Sequence, residues 1–193
     1  MMGLANCHED GKGTKQDTEQ AILWYRRAVG HGDLRGHYRI GLIYYDGRGG
    51  TEPDRTKALR EFEQCKTGER AEASILRAWM CLVSLGRNDE AQQRVDASLL
   101  KSPKPSRRVA VLHFFAGRMS ANQLLAYAKR IKETKLTDAE RLCEMHYYIA
   151  CERLFAGDRR VAKTHFEAST KPGGETRTEF TSATLELGRL EEE

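Results

Sequence analysis

Apolar side chains recur along the chain at intervals of three and four residues, which is the period of an α-helix. All four prolines fall in stretches that interrupt this pattern, and strand-like alternation is nowhere sustained. The pattern therefore predicts an all-α chain. We expect helix pairs near residues 2–31, 34–66, 69–101, 107–133 and 138–170, with a single amphipathic helix near 175–192 after them.

One packing pattern appears five times: a small residue, a large apolar residue four positions later, and a small residue three positions after that. The occurrences are Ala21/Tyr25/Ala28, Ala58/Phe62/Cys65, Ala91/Val95/Ser98, Ala121/Leu125/Ala128 and Ala162/Phe166/Ser169. These positions share one helix face, and small side chains there let a neighbouring helix approach closely. Because another helical segment precedes each occurrence, the pattern predicts about five antiparallel helix pairs.

The first two predicted pairs repeat each other in sequence. Residues 4–13 align with residues 40–49 at an offset of 36, and Asp17 aligns with Asp54 at an offset of 37. The single-residue difference falls in a loop, where an insertion costs little. The chain therefore begins with two copies of one structural unit.

Local features mark where several helices begin. Ser120–Gln123 and Thr137–Glu140 have the spacing of a capping box, and residues 171–174 form a break before the last helix. Its expected buried face consists of Phe180, Ala183, Leu187 and Leu190. A lone final helix of this kind would cover the open end of the last pair, as the caps of solenoids do.

Glycine, aromatic and small positions in the first third of the chain match a known repeat. In the first unit these are Gly11, Gly13, Asp17, Ala21, Trp24, Tyr25, Arg27, Ala28 and Gly32, and in the second they are Gly36, Ile40, Gly41, Tyr44, Gly47, Gly49, Asp54, Ala58 and Phe62. Residues 2–68 therefore resemble Sel1-like repeats, and residues 69–170 more loosely resemble the related tetratricopeptide repeats.

The resemblance implies a single helical-repeat domain over residues 1–193, wound as a right-handed α-α superhelix with a capping helix at about 175–192. It also implies a non-catalytic scaffold or adaptor. In such proteins the first helix of each pair lines a concave face, which holds a peptide or a partner protein. Two alternatives are a regulatory fragment of a larger multidomain protein and a hydrolase.

Charge and composition argue against some classes of partner. The 32 Lys and Arg against 28 Asp and Glu give a net charge of +4, far from the dense basic face of a nucleic-acid binder. The basic cluster Lys101, Lys104, Arg107 and Arg108 is better explained as a solvated linker.

No apolar run approaches the ~20 residues that span a bilayer, and no secretory signal begins the chain. We therefore expect a cytoplasmic protein.

The cysteines, histidines and glycines do not form a recognisable disulfide, metal-binding or phosphate-binding motif. Five scattered cysteines without a CxxC pair are typical of packing residues in a reducing compartment. Cys143, His146 and Cys151 are the most metal-like trio, but no fourth ligand is near in sequence. The glycine loops at 11–13 and 47–50 lack the strand and Lys-Ser/Thr of a phosphate loop, so turns at positive φ explain them better. No catalytic residue, metal or cofactor is expected.

Exposed aromatic and arginine side chains are the usual anchors of an interface. On the first helix of the second pair, Ile40, Gly41 and Tyr44 match packing positions, which leaves His37, Arg39 and Tyr45 as the candidate partner-binding residues. The first helix has no capping residue and exposes Leu4. We therefore also expect either repeats upstream or self-association through the N-terminal helix pair.

Overall fold

The computed structural model describes residues 1–65, 70–101, 105–131, 136–175 and 177–192. Within these ranges every regular element is helical and no β-strand occurs, which confirms the all-α class. The helices are α1 (Met2–Asp10), α2 (Thr18–Gly30), α3 (Arg35–Asp46), α4 (Arg55–Gln64), α5 (Ala71–Ser84), α6 (Asn88–Lys101), α7 (Arg107–Phe115), α8 (Ala121–Arg130), α9 (Asp138–Phe155), α10 (Arg159–Ser169) and α11 (Thr178–Glu192), with a short 3-10 helix at Arg48–Gly50.

These bounds fall inside the ranges predicted from the sequence, two helices in each predicted pair and one after them. The handedness of the superhelix and the number of pairs stay predictions. The chain divides into two compact units, Met1–Arg94 and Val95–Glu193. The basic cluster Lys101, Lys104, Arg107 and Arg108 lies partly outside the described residues, which omit 102–104.

The first unit is built from successive helices that pack on one another: α1 on α2, α2 on α3, α3 on α4 and α4 on α5. Ala5 of α1, Ala21 and Tyr25 of α2, and Ile40 and Ile43 of α3 form a buried cluster with no more than 1% exposure. Ala5 and Ala21 are small enough to let the helices approach closely, and Tyr25, Ile40 and Ile43 are the large side chains of the cluster.

Both repeats close their turns with the same contacts. Gly11 and Gly47 end α1 and α3 in the left-handed conformation, which glycine adopts without strain. Asp17 and Asp54 cap α2 and α4, each accepting a hydrogen bond from the backbone N–H three residues later. The Asp17 N–H donates to the carbonyl of His8, and the Asp54 N–H donates to that of Tyr44. The single inserted residue therefore lies between these contacts, in the loop.

Two glycines of α3 mark where its backbone meets its neighbours. A Cβ at Gly36 would lie 2.6 Å from the backbone carbonyl oxygen of Tyr25 on α2, and one at Gly41 would lie 2.6 Å from the ring of Phe62 on α4. Contacts this short leave no room for a methyl group. Glycine is therefore required at both positions by packing.

The predicted packing faces are confirmed in three of the five triplets. Every member of the triplets that begin at Ala21, Ala58 and Ala162 is buried. In α6, Ala91 and Val95 are buried and Ser98 is half-buried. In α8 the prediction is wrong by one residue, because Leu124 fills the core while Leu125 and Ala121 are only half-buried.

The second unit is organised around the long helix α9, which packs against α7, α8, α10 and α11. Both predicted capping boxes are present, at Ser120 with Gln123 and at Thr137 with Glu140. The rings of Tyr147 and Tyr148 lie in the core.

The final helix packs on α9 and α10 at the predicted place, but its buried face differs. Glu179, Ser182, Ala183 and Glu186 are buried, whereas Phe180, Leu187 and Leu190 are only half-buried. Glu179 lies inside because Tyr148 donates a hydrogen bond to its carboxylate and Arg177 pairs with it. Only Ala183 of the predicted face is fully buried.

All five cysteines lie within the described residues and carry free thiols. Four of them are buried, as expected for packing residues, and Cys7 is half-buried. Within the described parts of the chain, no helix is long and apolar enough to cross a membrane.

Candidate functional site

A cavity of about 190 Å³ opens on the first unit at a place where three predicted pairs contribute residues. Helices α1 and α3 supply most of its lining, and one residue comes from the segment just before α5. The lining residues are Met2, Asn6, Arg35, Tyr38, Arg39 and Arg70, and we call this site the Arg–Tyr cavity. The first helices of successive pairs therefore share one polar surface.

Helical spacing places the three α3 residues on one side. Arg35, Tyr38 and Arg39 stand at i, i+3 and i+4, so their side chains leave the same helix face. Asp33, just before the helix, accepts hydrogen bonds from Arg35 Nε at 2.8 Å and from Nη2 at 2.7 Å. This fork fixes Arg35 at the exposed rim, where its side chain is 58% accessible.

Arg39 donates hydrogen bonds to one side chain of α1 and one of α2. Its Nη2 donates to the Glu9 carboxylate at 2.8 Å, and its Nε donates to the Tyr25 hydroxyl at 3.1 Å. Burial opposes the charge on Arg39, but Glu9 and Tyr25 outweigh burial and raise the pKa of the guanidinium above its ordinary value. The lining of the cavity therefore includes a cation that is fixed by its partners.

Glu9 connects this cation to a second buried charge cluster. The Tyr25 hydroxyl lies 2.5 Å from its carboxylate, and Arg48 donates to it at 3.0 Å. Burial and the Glu9 carboxylate raise the pKa of Tyr25 above its ordinary value, so the hydroxyl keeps its proton. Arg48 also pairs with Asp46 at 2.6 Å. Because each charge has partners, the network locks α1, α2 and α3 together.

Tyr38 is buried, with 1% of its surface exposed. Its ring centroid lies 5.8 Å from that of Phe62, and the Arg70 guanidinium carbon lies 5.4 Å from the same centroid. Its hydroxyl oxygen is buried without a hydrogen-bond partner in the described ranges. A buried hydroxyl that forms no hydrogen bond costs free energy, so this one is unusual in a folded protein.

The three guanidinium groups of the cavity are not equally compensated. Arg35 is paired with Asp33, and Arg39 is paired with Glu9. Arg70 has its ring contact with Tyr38 but forms no ion pair within the described part of the chain. The lining residues include no carboxylate. The cavity therefore presents cations and donors without an anion of its own.

The three residues predicted to bind a partner lie in different environments. Arg39 lines the Arg–Tyr cavity. His37 does not line it and is half-buried, with Nδ1 2.7 Å from the Glu61 carboxylate on α4. Tyr45 is 2% exposed, so the expectation that it faces solvent is wrong. That His37, Arg39 and Tyr45 bind a partner stays a prediction.

Helix geometry explains why those three residues do not converge. At about 100° per residue, Arg39 lies roughly 200° around α3 from His37. Tyr45 is covered by two cations from later helices, because Arg55 and Arg77 lie 3.8 Å and 5.5 Å from its ring centroid. The basic pair at i and i+4, Arg35 and Arg39, is the sequence feature that marks the cavity. The contribution of Arg70 depends on a contact that no local pattern reveals.

The metal-like trio on α9 is divided between two environments. Cys143 Sγ lies 3.6 Å from the Ser169 hydroxyl, while His146 faces His165. Burial raises the pKa of the Cys143 thiol to about 11, so it stays protonated at neutral pH. In the parts of the chain that are described, no three His, Cys, Asp or Glu side chains form a group able to hold a metal ion.

Stacked helix pairs joined by glycine turns define an α-helical repeat protein. The family model of the Sel1 repeat matches residues 1–33 and 34–60, so the chain begins with two Sel1 repeats, as the sequence pattern predicts. Sel1 repeats are non-enzymatic modules that generally mediate protein–protein interaction. No curated protein matches the chain. The tetratricopeptide likeness of residues 69–170 stays a prediction.

Proposed function

We propose that this chain is a non-catalytic scaffold that binds a peptide or a partner protein at the Arg–Tyr cavity. One observation carries the proposal: α3 and the residue just before α5 place three arginines and a tyrosine around one opening, which α1 also lines. Arginine and tyrosine are the side chains most often found as energetic anchors of interfaces. In helical-repeat proteins the face that successive first helices form is a continuous binding surface.

The lining of the cavity favours binding over catalysis. Nucleophilic hydrolysis requires a nucleophile with a base in hydrogen-bond reach. None of the described residues that line the cavity is a serine, cysteine or histidine. His37 forms its carboxylate contact with Glu61 and is not part of the lining. These features support a scaffold rather than the hydrolase alternative.

Quantitative affinity capture tests the proposal. The full chain, the double variant Arg35→Ala/Arg70→Ala and the control Arg60→Ala are compared as baits. Arg60 is an exposed arginine on α4, so its removal changes the net charge without touching the cavity. A partner captured by the parent should then be purified and titrated. We expect the double variant to bind it at least tenfold more weakly and the control to bind it normally. Equal binding by all three baits would contradict the proposed site.

Self-association through the N-terminal pair is a second candidate, favoured by the exposure of Leu4 and Leu23, each about half accessible. Sedimentation velocity over a hundredfold concentration range measures it. We expect a concentration-dependent dimer that is lost in Leu4→Lys/Leu23→Lys. A monomer at every concentration would remove this candidate.

A further inference from the structure

Three properties of the Arg–Tyr cavity indicate the chemistry of the ligand that would fit it. It has an arginine without an ion pair, Arg70, in the described part of the chain. Its lining includes Tyr38, whose buried hydroxyl has no hydrogen-bond partner in the described part of the chain. It has one apolar wall, formed by Met2. A ligand that satisfies all three needs a negative charge that accepts hydrogen bonds and a short apolar stem.

The size of the cavity limits the ligand to a single side chain. Sites that enclose a whole small molecule occupy roughly 300–1,000 Å³, and this cavity has about 190 Å³. Its rim is formed by Arg35 and Asn6, both exposed, which are able to contact the chain on either side of an inserted group. The geometry therefore favours a residue of an extended peptide over a free cofactor.

We propose that the Arg–Tyr cavity binds the carboxylate of a glutamate or aspartate in an acidic segment of a partner protein. This inference rests on the proposed function and names the ligand chemistry of its site. Arg70 supplies the charge, and the Tyr38 hydroxyl donates a hydrogen bond to a carboxylate oxygen. Arg35 at the rim pairs with neighbouring acidic residues, while Met2 covers the methylene groups. Arg39, already paired with Glu9, positions the α3 face from below.

The unpartnered hydroxyl makes Tyr38→Phe a selective test. In the free protein the hydroxyl forms no hydrogen bond within the described residues, so its removal breaks no internal contact and relieves an unsatisfied buried group. Its thermal unfolding midpoint should therefore equal or exceed that of the parent. If the hydroxyl serves only packing, ligand affinity should not change. If it donates to the ligand, affinity should fall while stability does not.

The experiment titrates the ¹⁵N-labelled full chain with three capped hexapeptides: hexaglutamate, hexaglutamine and a glycine-rich peptide with one phosphoserine. We expect hexaglutamate to shift the amide signals of residues around the cavity and to bind at least tenfold more tightly than hexaglutamine. High salt should weaken this binding. Arg70→Ala should raise Kd at least tenfold and Tyr38→Phe about fivefold, while the control Arg60→Ala stays within twofold of the parent.

The proposal would be overturned by equal binding of hexaglutamine, by a Kd within twofold of the parent in Arg70→Ala or Tyr38→Phe, or by a phosphoserine peptide that binds tenfold more tightly than hexaglutamate. The last result would assign the cavity to phosphate instead of carboxylate. A captured partner that is lost in Arg35→Ala/Arg70→Ala although no acidic peptide binds would support the proposed function and overturn this inference alone.

Discussion

The Nδ1 atoms of His146 and His165 lie 2.8 Å apart and join α9 to α10 in the second unit. One ring must donate and the other accept, so the contact exists only while the two rings are not both protonated. Burial, then the nearby charges of His165, Lys171 and Lys129, lower the pKa of His146 to about 4. Burial and Arg153 lower the pKa of His165 as well.

This pair predicts acid sensitivity of the second unit. Because the folded state holds His146 below its ordinary pKa, the unfolded chain binds more protons between pH 6.5 and about 4, and stability falls as pH decreases through this window. His146→Gln removes the contribution of His146 and leaves that of His165. The loss of unfolding free energy between pH 7 and pH 5 should shrink by about 1 kcal/mol, allowing for solvent screening of a partly exposed pair.

Denaturant unfolding at the two pH values measures this difference. His31→Gln serves as the control, because His31 is exposed and lies in the first unit. A proton NMR titration that gives the His146 ring a pKa near its ordinary 6.5 would contradict this prediction, because burial and the nearby positive charges should hold that pKa lower.

Glu144 predicts a second, larger effect on stability. Its side chain is 1% exposed, with Arg107 Nε at 2.6 Å, Arg177 Nη2 at 3.3 Å and Arg108 Nε at 3.8 Å. Burial and the neighbouring Glu179 raise the pKa of Glu144, and the three arginines oppose them. Glu144→Gln keeps the volume but leaves these cations with less compensating charge, so we expect a loss of about 3 kcal/mol.

Urea unfolding of Glu144→Gln beside the control Glu167→Gln tests this cost. Glu167 is exposed on α10, so its substitution should change the unfolding free energy by less than about 0.5 kcal/mol. Equal stability of the two variants would mean that the arginine cluster does not depend on Glu144.

Sequence patterns predicted what depends on neighbours along the chain. Gly11, Gly47, Asp17 and Asp54 each have a local role in a turn or a cap, so the repeat, the loops and the helix bounds followed from them. In α8 the pattern failed because Leu124 and Leu125 are equally apolar and only about 100° apart around the helix. Periodicity does not choose between two such neighbours.

Contacts between helices that are far apart in sequence could not be predicted from these local patterns. Glu179 is buried because Tyr148 and Arg177 bind its carboxylate, although a glutamate alone indicates an exposed position. Tyr45 is covered by arginines of α4 and α5. Of the candidate site, only Arg39 was among the predicted residues, since the position of Arg70 depends on how the third pair packs.

Gly41 predicts that a better helix former will destabilise the first unit. Alanine gains up to about 1 kcal/mol over glycine within a helix, but its methyl group would lie 2.6 Å from the buried Phe62 ring. Overpacking of this kind costs about 1–3 kcal/mol, so Gly41→Ala should lower the thermal midpoint. Gly3→Ala is the control, because nothing lies within 4 Å of the added carbon, and it should match or exceed the parent. The reverse order of the two midpoints would contradict the close approach of α3 and α4.

The small-residue face of α10 predicts the effect of enlarging an alanine in the second unit. Ala162 is fully buried on α10, which packs against both α9 and α11. A leucine there has no space and must separate two helices, so Ala162→Leu should cost about 1–3 kcal/mol. Ala126→Leu places the same side chain at an exposed position of α8, where leucine is nearly as good a helix former as alanine and the change should stay within about 0.5 kcal/mol. Chemical unfolding of both variants measures the difference, and equal midpoints would show that Ala162 does not mark a close helix contact.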